Sequence, residues 1–132
     1  MKIAIHIVRT LLGLAFVVFG LNGFLNFIPN NAPPPPPDSA VAHFLIAFSK
    51  SGYLQIVAAC QVLAGVLLLL NFLPVFGLTI LCGIVFNIIV FHLTMAPALA
   101  QMAPGILVAM LTLFLVWAYW DSYRPLFRKP QL

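Results

Sequence analysis

Four long apolar segments with almost no charge inside them are the feature that most limits how this chain can fold. Only 6% of the 132 residues are charged and 64% are hydrophobic, whereas soluble domains carry about 25% charged residues. A helix needs about 20 apolar residues to span the hydrocarbon core of a membrane. The segments have that length, at about residues 3–28, 53–72, 75–94 and 104–120. The sequence therefore excludes a soluble fold and predicts an all-α polytopic membrane protein. We expect one domain over residues 1–132, an antiparallel four-helix transmembrane bundle.

The first connection is the only long one, and it contains five consecutive prolines. Residues 29–51 form this loop, and Pro33 to Pro37 cannot continue a helix. Asp38 and Ser39 follow, and such residues favour the N-cap position of a helix. Apolar residues then recur at helical spacing over residues 40–48. We expect a stiff proline segment followed by a short amphipathic helix that lies in the membrane interface.

The distribution of positive charge predicts the orientation. Lysine and arginine concentrate in the cytoplasmic flanks of membrane helices. Most of those in this chain lie near its two ends: Lys2, Arg9, Arg124, Arg128 and Lys129. An even number of spans places both ends on one side, so we expect both termini in the cytoplasm. The same placement explains the formal charge of +4 without nucleic acid as a partner.

Glycine is the residue that we expect to pack the helices against each other. Lipid gives helices no hydrophobic reason to associate, so close backbone approach through small residues becomes important. The candidates are Gly13, Gly20 and Gly23 in the first segment, Gly65 in the second and Gly83 in the third. Each segment pairs its glycines with a polar side chain, which is typical of interhelical hydrogen bonding.

One ion pair is expected at the cytoplasmic end. Arg9 lies inside the first apolar segment and Asp121 lies at the end of the fourth. A charge inside the membrane is costly and usually finds a partner. We therefore predict that Arg9 and Asp121 pair and that His6, one helical turn before Arg9, can join them. The alternative is that Arg9 extends to the lipid head groups without a protein partner.

A second polar group is expected toward the outer side. Its members are Asn22, Asn26, Gln61, Asn87 and His92. Histidine is the side chain that titrates nearest neutral pH, so these residues could form a ligand site for the head group of a quinone. The alternative is structural, with His92 at the interface bonded to a loop carbonyl. No catalytic set and no Cys/His metal spacing is found, which favours a protein that is not an independent enzyme.

Several stretches resemble the DoxX family of membrane proteins. They are RTLLGLAFVVFGLNG at 9–23, SGYL at 51–54, QVLAG at 61–65, LLLL at 67–70, NIIVFH at 87–92 and DSYRP at 121–125. The resemblance implies a four-helix bundle of the bacterial inner membrane, in a family named from a subunit of an archaeal thiosulfate:quinone oxidoreductase. Other members are linked to membrane redox or thiol-stress assemblies. Gln61 stands where the family commonly has a glutamate, which argues against a proton-coupled role there.

The resemblance implies an accessory or quinone-interacting subunit of a membrane redox system, in contact with the lipid bilayer, with redox or other membrane proteins, or with a second copy. A non-catalytic scaffold for the assembly of other membrane proteins is the main alternative. A small transporter or lipid-binding protein is a third, disfavoured because no charged pathway is found.

Overall fold

The computed structural model describes residues 1–130, and within that range every regular element is helical. The described residues form six α-helices and a closing 3₁₀ turn: α1 Lys2–Leu25, α2 Ala40–Lys50, α3 Tyr53–Leu69, α4 Pro74–Thr94, α5 Leu99–Ala118, α6 Trp120–Tyr123 and the 3₁₀ turn Arg124–Phe127.

Three of these helices, α1, α4 and α5, are long and apolar enough to cross a membrane. The pair of α2 and α3 also qualifies if it is counted as one span, although a bend of 73° separates the two helices. Only 28%, 22% and 11% of the most apolar windows of α1, α4 and α5 are buried within the protein. The outer surface is therefore largely apolar, as expected of a membrane protein with three or four spanning helices.

α1 and α3 each end three residues earlier than the apolar pattern predicts. The first segment was expected to reach residue 28, but α1 ends at Leu25 because Asn26 adopts a left-handed conformation with φ 48°. The Asn22 side chain then accepts a hydrogen bond of 2.7 Å from the backbone N–H of Ile28. The second segment was expected to reach residue 72, but α3 ends at Leu69. Apolar residues follow both helix ends, so hydropathy does not show where these helices stop.

The fourth predicted segment begins five residues after the start of the helix to which it corresponds. α5 begins at Leu99, and Pro104 lies inside the helix. Proline lacks the N–H that would bond to the carbonyl of residue 100, but it does not stop a helix so close to its first turn. Ser39 behaves as the sequence predicts: its hydroxyl caps α2 by accepting a hydrogen bond from the N–H of Ala42.

The four long helices form a ring around one apolar core. The most extensive contact joins α1 to α3, followed by α3 with α4 and α4 with α5, and a smaller contact between α1 and α5 closes the ring. The side chains buried most completely come from all four helices: Leu12, Leu68, Leu78, Leu81 and Leu115. α2 lies across one end, where the rings of Phe44 and Phe91 are 5.3 Å apart.

Glycine produces the close contact between α1 and α3. A Cβ atom on Gly65 would lie 2.7 Å from the carbonyl oxygen of Gly13, and one on Gly20 would lie 2.8 Å from that of Ala58. On Gly23 it would lie 2.6 Å from the Cβ of Ala58. These distances are too short for any side chain, so the two backbones approach as the sequence predicts.

Gly83 does not pack against a helix, in contrast to the prediction. It is exposed, and nothing lies within 4 Å of the position that its Cβ would take. The contact between α3 and α4 uses Gly77 instead, whose Cβ would lie 2.9 Å from the carbonyl oxygen of Ala64. The rotation of α4 about its own axis decides which of its two glycines faces α3. The spacing of the glycines in the sequence does not predict that rotation.

Candidate functional site around a buried arginine

Arg9 lies at the end of the bundle that holds both chain termini. Its side chain is only 8% exposed. One terminal nitrogen donates to the Oδ1 of Asn71 at 2.6 Å and, over 3.5 Å, to the hydroxyl of Tyr119. The other terminal nitrogen lies 3.1 Å from the Nδ1 of His6. The guanidinium therefore joins α1 to the turn between α3 and α4 and to the end of α5.

The turn between α3 and α4 has the backbone conformation that presents Asn71 to Arg9. Asn71 and Leu73 both adopt left-handed conformations, with φ 52° and φ 51°. Asparagine tolerates this region, whereas an ordinary side chain such as leucine pays about 1–3 kcal/mol for it. Pro74 then begins α4. A strained, tight turn thus fixes the position of the strongest hydrogen-bond acceptor near Arg9.

The predicted ion pair between Arg9 and Asp121 is not formed. Within residues 1–130, no carboxylate oxygen is among the hydrogen-bond partners of Arg9, and Asp121 is exposed. The hydroxyl of Tyr119, the residue directly after α5, reaches the guanidinium. The carboxylate of Asp121, two residues later, does not. His6 contacts Arg9, as the sequence suggests, but Arg9 does not extend to the surface.

The charge of Arg9 is incompletely matched by the described residues. Its Nε–H is buried and has no hydrogen-bond partner. Its other contacts are an amide oxygen, a phenol oxygen and an imidazole nitrogen, none of which carries a negative charge. A buried charge is normally paired and fully hydrogen-bonded, so this arrangement is unusual.

A second polar contact fastens the short helix α6 to α4. The hydroxyl of Tyr123 donates to the carbonyl oxygen of Val75 at 3.0 Å and lies 3.1 Å from the hydroxyl of Thr79. Thr79 also donates to Val75 at 2.8 Å, so the two hydroxyl protons fill two of the three contacts at a time. Burial raises the pKa of the Tyr123 phenol above its usual value, which keeps its proton available to the carbonyl.

An open groove of about 550 Å³ lies beside this contact. Its walls come from the start of α4 and from the segment after α5, and its lining residues are Leu73, Pro74, Val75, Phe76, Thr79, Ser122, Tyr123 and Leu126. Most of the lining is apolar, with hydroxyl groups on one side. The groove therefore suits an apolar molecule with few hydrogen-bonding groups.

The five outer polar residues lie on α1, at its end, on α3 and on α4, and within residues 1–130 none of their hydrogen bonds joins two of them. The amide of Asn22 caps the end of α1, and Asn26 is the exposed left-handed residue at that cap. Asn87 is exposed and donates to the carbonyl of Gly83 in its own helix at 2.9 Å. Gln61 is half-buried on α3. Asn87 and His92 bond to carbonyl groups of their own helix, and Asn22 bonds to the segment that follows its helix, which a pattern of polar residues cannot reveal.

His92 has one ring nitrogen that its bond within the chain does not use. Its Nδ1 lies 2.8 Å from the carbonyl oxygen of Ile88. A carbonyl oxygen can only accept a hydrogen bond, so Nδ1 carries the proton and the Nε2 of a neutral ring has a free lone pair. The ring is half-buried at the edge of Phe91 and close to Gly105 of α5. The bonded carbonyl belongs to α4 itself, not to a loop.

Asn71 and Tyr119 are the site residues that sequence reasoning missed. Asn71 resembles an ordinary turn residue, and Tyr119 resembles a member of an interfacial aromatic cluster. The one signal in the sequence that pointed to such partners was Arg9 itself. A buried arginine needs hydrogen-bond acceptors, and these come from the segments that end at the same depth in the bundle. Among residues 1–130, no group of three or more His, Cys, Asp or Glu side chains could hold a metal ion.

No protein-family model, curated protein or solved structure matches this chain.

Proposed function

We propose that this chain is a four-span integral protein of the bacterial inner membrane and an accessory, quinone-interacting subunit of a membrane redox system. α1, α4 and α5 provide three spans. α3 provides the fourth, since its 17 residues reach the lower limit of a spanning helix. α2 then lies in the outer interface. The resemblance of several segments to the DoxX family supports the redox role, and the free nitrogen of His92 supports the contact with quinone.

Charge supports the orientation with both termini in the cytoplasm. The end of the bundle with Arg9 also carries Lys2, Arg124, Arg128 and Lys129, whereas Lys50 is the remaining lysine or arginine of the chain. Positive residues favour the cytoplasmic side of short membrane proteins. The proline segment and α2 then face outward.

Single cysteines test the orientation. In a chain with Cys60 and Cys82 replaced by alanine, we expect Asn31→Cys to react with a membrane-impermeant maleimide in intact cells. Leu126→Cys, which replaces a side chain that is 74% exposed, is expected to react only after the inner membrane is permeabilised. Labelling of Leu126→Cys in intact cells would contradict the orientation.

The geometry of His92 favours the reduced form of a quinone. A neutral ring whose Nδ1–H is occupied by Ile88 offers Nε2 as an acceptor, and an acceptor matches the hydroxyl of a quinol better than the carbonyl of a quinone. The site lies near the outer end of α4, next to apolar surface through which a lipid-soluble molecule can arrive.

Replacing His92 with alanine tests this site. We expect a short-chain quinol to bind about threefold to tenfold more weakly to His92→Ala in nanodiscs, since one hydrogen bond contributes about 0.5–1.5 kcal/mol. Asn87→Ala is the matched control, because Asn87 belongs to the same helix but bonds only within it. Equal quinol affinities of the two variants would remove His92 from the site, and no binding to the unchanged protein would contradict the quinone proposal.

The scaffold alternative is favoured by the exposed face of α4. Gly83 leaves open space in the middle of this helix, and the Asn87 amide is exposed one turn later. A small residue beside a polar side chain is typical of contacts between membrane helices. Stable co-purification of another membrane protein, lost on Gly83→Leu and without any bound quinone, would favour this function.

A further inference from the structure

Arg9 is the only charged side chain among residues 1–130 that is buried. Its partners are neutral, and its Nε–H has none. A negative group from outside the chain would compensate the charge.

Two polar side chains of α1, His6 and Thr10, are open to the surroundings, and His6 also contacts the guanidinium. His6 and Thr10 are exposed and, with Ile7 and Leu11, line a shallow groove of about 300 Å³. A guanidinium only donates hydrogen bonds, so the Nδ1 of His6 accepts from Arg9 and the proton of a neutral ring lies on Nε2. His6 and Thr10 therefore both present a donor to the groove.

The groove lies at the height of the lipid head groups. Arg9 bonds to the turn between α3 and α4 and to the residue that ends α5, so its level is the end of the bundle. From the groove, an apolar stripe continues along α1 toward the membrane centre through Leu14 and Val18, which are 48% and 42% exposed. Polar donors at the membrane boundary with an apolar stripe behind them match the two parts of a phospholipid.

We propose that this groove on α1 binds the phosphate of an anionic phospholipid. The phosphate oxygens accept hydrogen bonds from His6 and Thr10, its negative charge offsets that of Arg9, and one acyl chain lies along Leu11, Leu14 and Val18. The site is separate from the quinone proposal, which concerns the opposite end of the bundle. A zwitterionic lipid binds less well, because its own cation remains close to the guanidinium.

Native mass spectrometry of the full chain, delipidated and titrated with phosphatidylglycerol or phosphatidylcholine of the same acyl chains, tests the site. We expect one phosphatidylglycerol to be retained about tenfold better than phosphatidylcholine, as a charge-assisted hydrogen bond allows. Arg9→Gln is expected to bring the two lipids close to parity. Lys50→Gln removes a charge at the other end and is expected to leave the preference unchanged.

Thr10→Val and His6→Phe retain the arginine and cover the case in which Arg9→Gln does not fold, although His6→Phe also removes one hydrogen-bond acceptor of Arg9. Each removes one donor to the phosphate, and we expect each to reduce the retention of phosphatidylglycerol about threefold. Equal retention of both lipids by the unchanged protein would overturn the proposal. So would an equal loss in Lys50→Gln, or displacement of the lipid by millimolar inorganic phosphate, which would indicate a site for free anions.

Discussion

Leucine in place of Gly65 is expected to separate α1 from α3 and to destabilise the bundle by about 1–3 kcal/mol or more. Even a Cβ atom at this position would lie 2.7 Å from the carbonyl oxygen of Gly13 and 2.9 Å from the backbone nitrogen of Val17. Backbone atoms cannot move aside as the end of a flexible side chain can, so the helices must shift apart. Thermal unfolding in detergent measures the loss.

Gly83→Leu is the matched control, because it makes the same change in the middle of another long helix. Gly83 is exposed and has open space around it, and leucine favours helix over glycine by up to about 1 kcal/mol. We expect unchanged or slightly raised stability. If the two variants unfolded at the same temperature, the close contact between α1 and α3 would not hold the bundle together.

Arg9→Asp is expected to be the most damaging change of a single charge, and Asp121→Arg is not expected to rescue it. The introduced carboxylate would face the Oδ1 of Asn71, an acceptor that now receives a hydrogen bond of 2.6 Å. An uncompensated buried charge costs about 3–5 kcal/mol. Since Asp121 is exposed and is not a partner of Arg9, reversing its charge returns none of this energy.

Stability of the single and double variants in detergent decides between the two interpretations. Asp121→Asn serves as the control and is expected to stay within about 0.5 kcal/mol of the unchanged protein, as exposed substitutions do. Recovery of the double variant to the stability of Asp121→Asn would restore the ion pair that the sequence predicts. It would also contradict the hydrogen bonds around Arg9.

The glycines show how far sequence reasoning reaches in this fold. Gly13, Gly20 and Gly23 recur at helical spacing and therefore share one face whatever their neighbours are, and the structure places that face against α3. α4 has two glycines, and periodicity does not choose between them. Contact with α3 selects Gly77 and leaves Gly83 open.

The polar residues show what the sequence did not predict. Asn22, Asn87 and His92 look like members of one pocket because all three are polar residues in the outer halves of apolar segments. Each has a backbone partner within a few residues of its own position. Asparagine and histidine in an apolar helix can form hydrogen bonds within the helix or with another helix. Composition does not show which of these two kinds of hydrogen bond forms.

The sequence by itself determined that this chain is helical and has apolar surfaces, because eight charged residues cannot cover a soluble domain. It also placed most positive charge near the two termini and identified Arg9 as the residue that needs partners. Only the tertiary structure decided which residues are the hydrogen-bond partners of Arg9. Asn71 and Tyr119 are 62 and 110 residues away from Arg9 along the chain, and they meet it because a strained turn and the end of α5 lie at the same level. Local pattern fixes which residues share a helix face, whereas the angle and height at which helices pack depend on every contact in the bundle.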